Sequence, residues 1–172
     1  MAAAYSKKVC LLGDFAVGKT SLVRRFVYNL FDDKYISTIG VKVSRKTVVV
    51  SRGDDMVELT MMLWDLAGSE EFTQVRASYL RGAAGAVLVC DLTRAETLDS
   101  LRSYARDLLN VSPGSRMVVA ANKCDLAEAQ QLSAAQVESL AAELNAACFF
   151  TSAKMGDEVE TLFRRLGRWL LP

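Results

Sequence analysis

Gly13-Asp14-Phe15-Ala16-Val17-Gly18-Lys19-Thr20 stands between the apolar run Lys7 to Leu12 (KKVCLL) and a helical pattern that opens at Lys19. The octet satisfies every fixed position of G-x-x-x-x-G-K-[ST], the spacing of a phosphate-binding loop. Its two glycines let the backbone wind until successive N–H groups face one anion, and the N-terminus of the following helix adds its own donors and dipole. The expected ligand is a polyphosphate, held by Gly13, Phe15, Ala16, Val17, Gly18, Lys19, Thr20 and Ser21. Lys19 is expected to reach the outer phosphates, and the Thr20 hydroxyl to ligate the accompanying Mg²⁺. Glycine loops with a nearby lysine also occur in ordinary turns; the strand before and the helix after are the context that distinguishes this one.

Outward from the loop, KKVCLL reads as a buried strand, and Leu22, Val23, Phe26, Val27 and Leu30 repeat at helical spacing with Arg24, Arg25 and Asn29 opposite. Phe31 to Gly40 has no clean period and reads as a loop. Val41 to Ser51 and Met56 to Asp65 read as two strands joined by the turn signal Arg52-Gly53-Asp54-Asp55, an antiparallel hairpin. The stretch after Asp65 is polar and mixed until Gly85 to Cys90 (GAVLVC), the Val/Leu run of a strand buried on both faces. Capping boxes at Thr93-Arg94-Ala95-Glu96 and Ser133-Ala134-Ala135-Gln136 open two further helices, with Met117 to Ala121 a strand between them. Cys148 to Thr151 is the last strand, and Val159, Leu162, Phe163, Leu166 and Leu170 stripe a terminal helix. About six strands and five helices in alternation predict a three-layer α/β domain, its sheet mostly parallel with one antiparallel strand.

The 172 residues suit one domain, and no Pro/Gly/Ser-rich linker suggests a second. Hydrophobic residues make up 51%, yet no apolar run approaches a membrane span of roughly 20 residues, and Met1 to Lys8 lacks an apolar signal core. Twenty-one basic and twenty acidic residues leave a formal charge of +1, with no block of one sign to attract nucleic acid or a membrane. Cys10, Cys90, Cys124 and Cys148 lie far apart without a C-x-x-C pair, which predicts reduced thiols of a cytoplasmic protein.

Ligands of such sheets lie beyond the carboxyl ends of the strands, where the remaining motifs fall. Trp64-Asp65-Leu66-Ala67-Gly68 closes an apolar strand with a carboxylate, the place from which an aspartate holds Mg²⁺ through water, while Gly68 offers an N–H to the last phosphate. An aspartate at a strand end is also a common turn or cap residue; beside the phosphate loop the metal role is expected. Asn122-Lys123-Cys124-Asp125 and Thr151-Ser152-Ala153-Lys154 follow the fifth and sixth strands. The Asp125 carboxylate can accept two hydrogens from guanine, whereas adenine presents no such donor pair. The alkyl stems of Lys123 and Lys154 suit the two faces of a purine, and the Ala153 N–H suits the guanine oxygen.

GDFAVGKT, the Thr38 of YISTIG, WDLAG, NKCD and SAK, in this order and separation, resemble a small GTPase of the Ras superfamily. YISTIGV and YLRGAAGAVLVCDLT look most like the Rab branch, and the likeness covers residues 7 to 170. The resemblance implies that Thr38 ligates Mg²⁺ only beside a γ-phosphate and that Phe31 packs edge-on against the guanine. It further implies a switch whose loops around Thr38 and Gly68 are ordered by γ-phosphate and released on hydrolysis. It places Lys19 and Gly68 in the catalytic set, and effectors and an exchange factor on residues 31 to 43 and 66 to 81 of a monomer.

Four positions depart from the family pattern. Ser69 stands where the family places a glutamine that orients the attacking water, with Glu70, Glu71 and Gln74 as alternatives nearby. Phe15 replaces a small residue and is expected over the γ-phosphate, where a partner's arginine would enter. Val43 replaces an aromatic common in Rabs. The sequence stops at Leu171-Pro172 without a cysteine to prenylate, so membrane association is expected only if a lipidated tail is missing. Two functions follow: a Mg²⁺-dependent GTP/GDP switch with slow hydrolysis, or a GTP-binding interaction module with negligible hydrolysis. A phosphate-loop kinase of a small metabolite lacks an arginine-rich lid and leaves NKCD and SAK without a role.

Overall fold

Leucine, valine and β-branched runs build the sheet strand by strand. β1 (Ala4–Leu12), β2 (Val41–Arg52), β3 (Asp55–Leu66), β4 (Gly85–Asp91), β5 (Arg116–Asn122) and β6 (Ala147–Phe150) pair in the order β2-β3-β1-β4-β5-β6. The computed structural model describes residues 3–33, 38, 40–68 and 73–172, the first three of the last segment as backbone only. Every neighbouring pair is parallel except β2 and β3, which form the expected hairpin around a two-residue turn in which Gly53 has φ +60°. β1 begins three residues before its apolar run, because Ala4 to Lys7 pair with Glu58 to Met61 along β3 while their side chains stay partly in solvent.

Alternation along the central strands divides the interior into two layers. Val9 and Leu11, Val87 and Val89, and Val118 and Ala120 face one side, where they meet Leu22, Val23 and Phe26 of α1 (Lys19–Tyr28). Leu162, Phe163 and Leu166 of the C-terminal helix Val159–Trp169 complete that layer, and the Phe26 and Phe163 rings stack with centroids 4.3 Å apart. Cys10, Leu12, Leu88, Cys90, Val119 and Ala121 face the other side. α2 (Thr73–Leu80) covers them there, with the helical segments α3 (Glu96–Asp99) and α4 (Leu101–Val111) and then α5 (Ala134–Glu143). With the terminal helix as α6, α3 and α4 count as one helix interrupted at Ser100, which gives the expected five.

Ser133 caps α5 as predicted, its hydroxyl accepting from the Gln136 N–H while the Gln136 side chain accepts from the Ser133 N–H. Thr93 does not cap α3. Its N–H and hydroxyl both donate to Asp91 Oδ1, at 2.8 and 2.6 Å. A buried carboxylate two residues upstream is the stronger acceptor, and the threonine closes a turn with it instead. All four cysteines are free thiols, and no helix among the described residues is long and apolar enough to cross a membrane.

From β1 the chain leaves to one side, to β2 and β3, and then returns across β1 to β4. The crevice at this reversal lies beyond the carboxyl end of β1, beside the ends of β3, β4 and β5. Leu11 pairs with Asp65 and Asp91 with Asn122, so the two aspartates and the asparagine all arrive at this one edge of the sheet.

Candidate functional site

A cleft of about 380 Å³ opens at that edge, lined from one end by Phe15, Gly18, Lys19 and Thr20 and from the other by Asn122, Lys123, Asp125, Ala153 and Lys154. Ala16, Ser21, Phe31, Thr38 and Gly68 line it as well, so the phosphate loop and both base loops share a single cavity. Gly18 sits at φ +104°, and a Cβ there would lie 2.2 Å from Asn122 Nδ2, so the loop closes against the asparagine only with glycine. Gly68 is confined in the same way: its Cβ would fall 2.6 Å from the Gly13 carbonyl oxygen.

Lys19 is buried at 6% exposure, and its ammonium donates to the carbonyls of Gly13 (2.8 Å) and Asp14 (2.9 Å). Burial pulls its pKa down to about 8, against the opposing pull of Asp65 and Asp14. A cation held this way, tethered among the described residues to carbonyls, is poised for an anion.

Thr20, Thr38 and Asp65 converge beside it. Their two hydroxyl oxygens lie 2.6 Å apart, and Thr20 donates to Asp65 Oδ2. Burial raises the Asp65 carboxyl, with the bonds from Thr20 and Thr38 acting in the opposite direction. Its Oδ1 is buried without a hydrogen-bond partner among the described residues. Two hydroxyls and a carboxylate with an unsatisfied oxygen form an all-oxygen donor set of the kind that suits Mg²⁺.

At the other end Asn122 joins the loops. Its Nδ2 donates to the Val17 carbonyl (3.0 Å), and its Oδ1 accepts from the Thr151 hydroxyl (3.1 Å) and the Ala153 N–H (3.3 Å). The Ala153 N–H, the donor expected at the guanine oxygen, thus makes a long contact with the acceptor in the wall while Ala153 lines the cleft. Ser152 is fully buried and holds Asp125, its hydroxyl donating to Oδ1 at 2.8 Å. The Val17 side chain is also buried, among the apolar layer, so Val17 and Ser152 shape the cleft without lining it. Lys123 takes φ +68° and lays its stem along the wall to reach Asp91 Oδ2 (2.7 Å) and the Ala16 carbonyl (3.0 Å). Burial would raise the Asp91 carboxyl, but hydrogen bonds from Lys123 and Thr93 outweigh it and hold it below the usual range.

Phe31 lines the cleft, and Phe15 does so with half of its surface exposed. Ser69, Glu70 and Glu71 lie outside the described residues, as does the side chain of Gln74.

Several residues that support the site carry no motif. Asp14 is held by the hydroxyls of Ser100 (2.6 Å) and Tyr104 (3.1 Å), whose ring lies 4.6 Å under the Arg76 guanidinium. Arg76 in turn pairs with Asp107 at 2.7 Å, which links α2 through α4 to the phosphate loop. Arg94 reaches from Asp91 to the Phe15 carbonyl at 2.6 Å. Asp91 ends β4 and Arg94 follows it, and both could have been suspected from that place alone. Ser100, Tyr104 and Arg76 sit in or beside helices, where sequence periodicity shows a face but not its partner.

A parallel sheet with a phosphate loop after β1, a carboxylate at the end of β3 and paired base loops after β5 and β6 defines a nucleotide-binding domain of the phosphate-loop class. The model of the Ras family matches residues 8–171. Rab-31 of Rattus norvegicus is 36% identical over 166 residues, 96% of this chain and 83% of its own. Rab-22A of Mus musculus is 38% identical over 163 residues, 94% and 81% of the two chains. The GTP-binding protein ypt5 of Schizosaccharomyces pombe is 38% identical over 167 residues, 96% and 78%. The chain belongs to the Ras family and is a Rab-like, GTP-binding small GTPase.

Proposed function

We propose that this GTPase is a Mg²⁺-dependent switch that cycles between GTP and GDP and hydrolyses GTP slowly. The observation that carries this reading is the meeting of Thr20, Thr38 and Asp65 beside Lys19, with one Asp65 oxygen left without a partner among the described residues. These three residues would hold Mg²⁺, which neutralises charge on the phosphates. Lys19 and the Gly68 N–H act on the terminal phosphate, and Phe31, Lys123, Asp125, Ala153 and Lys154 take the base. Thr38 belongs to residues 31 to 43, which with 66 to 81 form the surface proposed for effectors and an exchange factor, so its bond to the metal site ties nucleotide state to that surface.

Thr38→Ala is expected to weaken GTP binding by about tenfold and to leave GDP affinity within twofold, because the hydroxyl joins the metal only beside a γ-phosphate. Equilibrium titration with both nucleotides measures this, and equal losses would place Thr38 outside the switch.

Turnover decides between this reading and an interaction module with negligible hydrolysis. The exposed Phe15 ring at the cleft mouth and Ser69 favour the second. Ras-type domains with the usual glutamine hydrolyse GTP unaided at about 3 to 5 × 10⁻⁴ s⁻¹. Loss of one water-orienting contact is worth about 1 to 2 kcal/mol, which predicts a rate roughly tenfold or more below that. Single-turnover decay of bound GTP, read by chromatography of the extracted nucleotide, is expected to show this, and Ser69→Gln to raise the rate severalfold. A rate already at the family's ordinary value, unchanged by Ser69→Gln, would remove serine from the explanation.

A further inference from the structure

Arg25 lies outside the phosphate-loop spacing and both base motifs, and it does not line the cleft. Its guanidinium nevertheless ties α1 to the loop of Ala153 and Lys154. Nε donates to the Ala153 carbonyl at 2.8 Å, Nη2 to the Lys154 carbonyl at 2.5 Å, and Nη1 to Asn29 Oδ1 at 3.1 Å. Asn29 is held for this contact by the end of α1, where it takes φ +54° and its N–H returns to the carbonyls of Arg24 and Arg25. The same helix begins at Lys19 and Thr20, so α1 is anchored at its start in the phosphate loop and grips the base loop from its second turn.

The two carbonyls are consecutive, and the Cα of Lys154 lies between the peptide planes that they fix. Once both planes are held, the direction in which Lys154 leaves the backbone is set, and Lys154 lines the cleft. The loop is held from inside by Ser152, whose hydroxyl contacts Asp125 and the Met155 N–H, and by Asn122 at the Ala153 N–H. Arg25 supplies the outer hold. Its planar fork can meet three acceptors at once, which the single ammonium of a lysine cannot do in the same geometry.

We propose that Arg25 is a positioning residue for base recognition: by clamping the carbonyls of Ala153 and Lys154 it lays the Lys154 stem along the purine end of the cleft. The proposal rests on the reading of Thr151 to Lys154 as a base loop. It makes nucleotide retention depend on a side chain that touches no nucleotide, and it makes that dependence run through Lys154.

The test is release of GDP carrying a fluorescent group on its ribose, chased with unlabelled GDP, from the loaded wild type, Arg25→Lys, Lys154→Ala and the double variant. Arg25→Lys keeps the charge and most of the stem, so the variant folds while the fork is lost; circular dichroism of the loaded protein checks this. Lys154→Ala is expected to speed release about tenfold and Arg25→Lys about fivefold, with the double variant within twofold of Lys154→Ala. Multiplying effects in the double variant, or unchanged release from Arg25→Lys beside faster release from Lys154→Ala, would overturn the inference and leave the base-loop reading intact. Unchanged release from Lys154→Ala would overturn both.

Discussion

Asp125→Asn is expected to turn a guanine site into one that prefers xanthine, with GDP affinity falling at least a hundredfold and XDP binding at least tenfold tighter than GDP. The carboxylate is held in place by the Ser152 hydroxyl at 2.8 Å, so its direction toward the cleft is set before any base arrives. Guanine offers it N1–H and the exocyclic amine; xanthine replaces that amine with a carbonyl oxygen. An asparagine matches this reversal, its oxygen accepting from N1–H and its amide donating to the new oxygen. Guanine against asparagine leaves two donors facing each other, and an unmade hydrogen bond at a desolvated site costs about 1 to 3 kcal/mol. Competitive displacement of a fluorescent nucleotide by GDP and XDP measures the exchange of preference. A variant that still prefers GDP would place the base elsewhere.

Lys19→Met is expected to weaken GDP and GTP by at least a hundredfold while leaving the thermal stability of the nucleotide-free protein unchanged or higher. The two effects have opposite signs for one reason. The ammonium is 6% exposed and, among the described residues, bonded to the carbonyls of Gly13 and Asp14, and burial has already pulled its pKa to about 8. Without phosphate it is therefore a desolvated charge that the fold carries at a cost, and methionine of similar length removes that cost. With phosphate it is a partly desolvated ion pair, whose loss costs about 2 to 5 kcal/mol. Calorimetric titration and melting of the empty protein give the two numbers separately. A parallel fall in both would show that Lys19 acts on the fold.

The phosphate loop was legible because its chemistry is local: two glycines, a lysine and a threonine at fixed spacing within eight residues. The strands were legible from apolar runs, and their ends alone place Asp65, Asn122 and Asp125 at one edge. What the sequence concealed was how those residues hold one another. Nothing near Arg25 marks it as the partner of carbonyls 128 and 129 positions away, and nothing near Asp14 points to Tyr104, 90 residues on. Such contacts arise only when helices pack on the sheet, and helical periodicity records a polar face without saying what it meets. α2 was hidden differently: TQVRASYL has no clean apolar stripe, and its helix depends on the contact of Arg76 with Tyr104 and Asp107 and on the burial of Leu80. The capping box at Thr93 misled because a buried aspartate two residues earlier outcompeted the helix for the same hydroxyl.

Displacement of bound fluorescent GDP from the unmodified protein by GTP and by ATP tests most directly whether this cleft is a guanine-nucleotide site. Asp125 opposite adenine finds no donor pair, a mismatch on the order of 4 kcal/mol or more, so GTP is predicted to compete at least a thousandfold more strongly than ATP. Equal competition by the two nucleotides would contradict it.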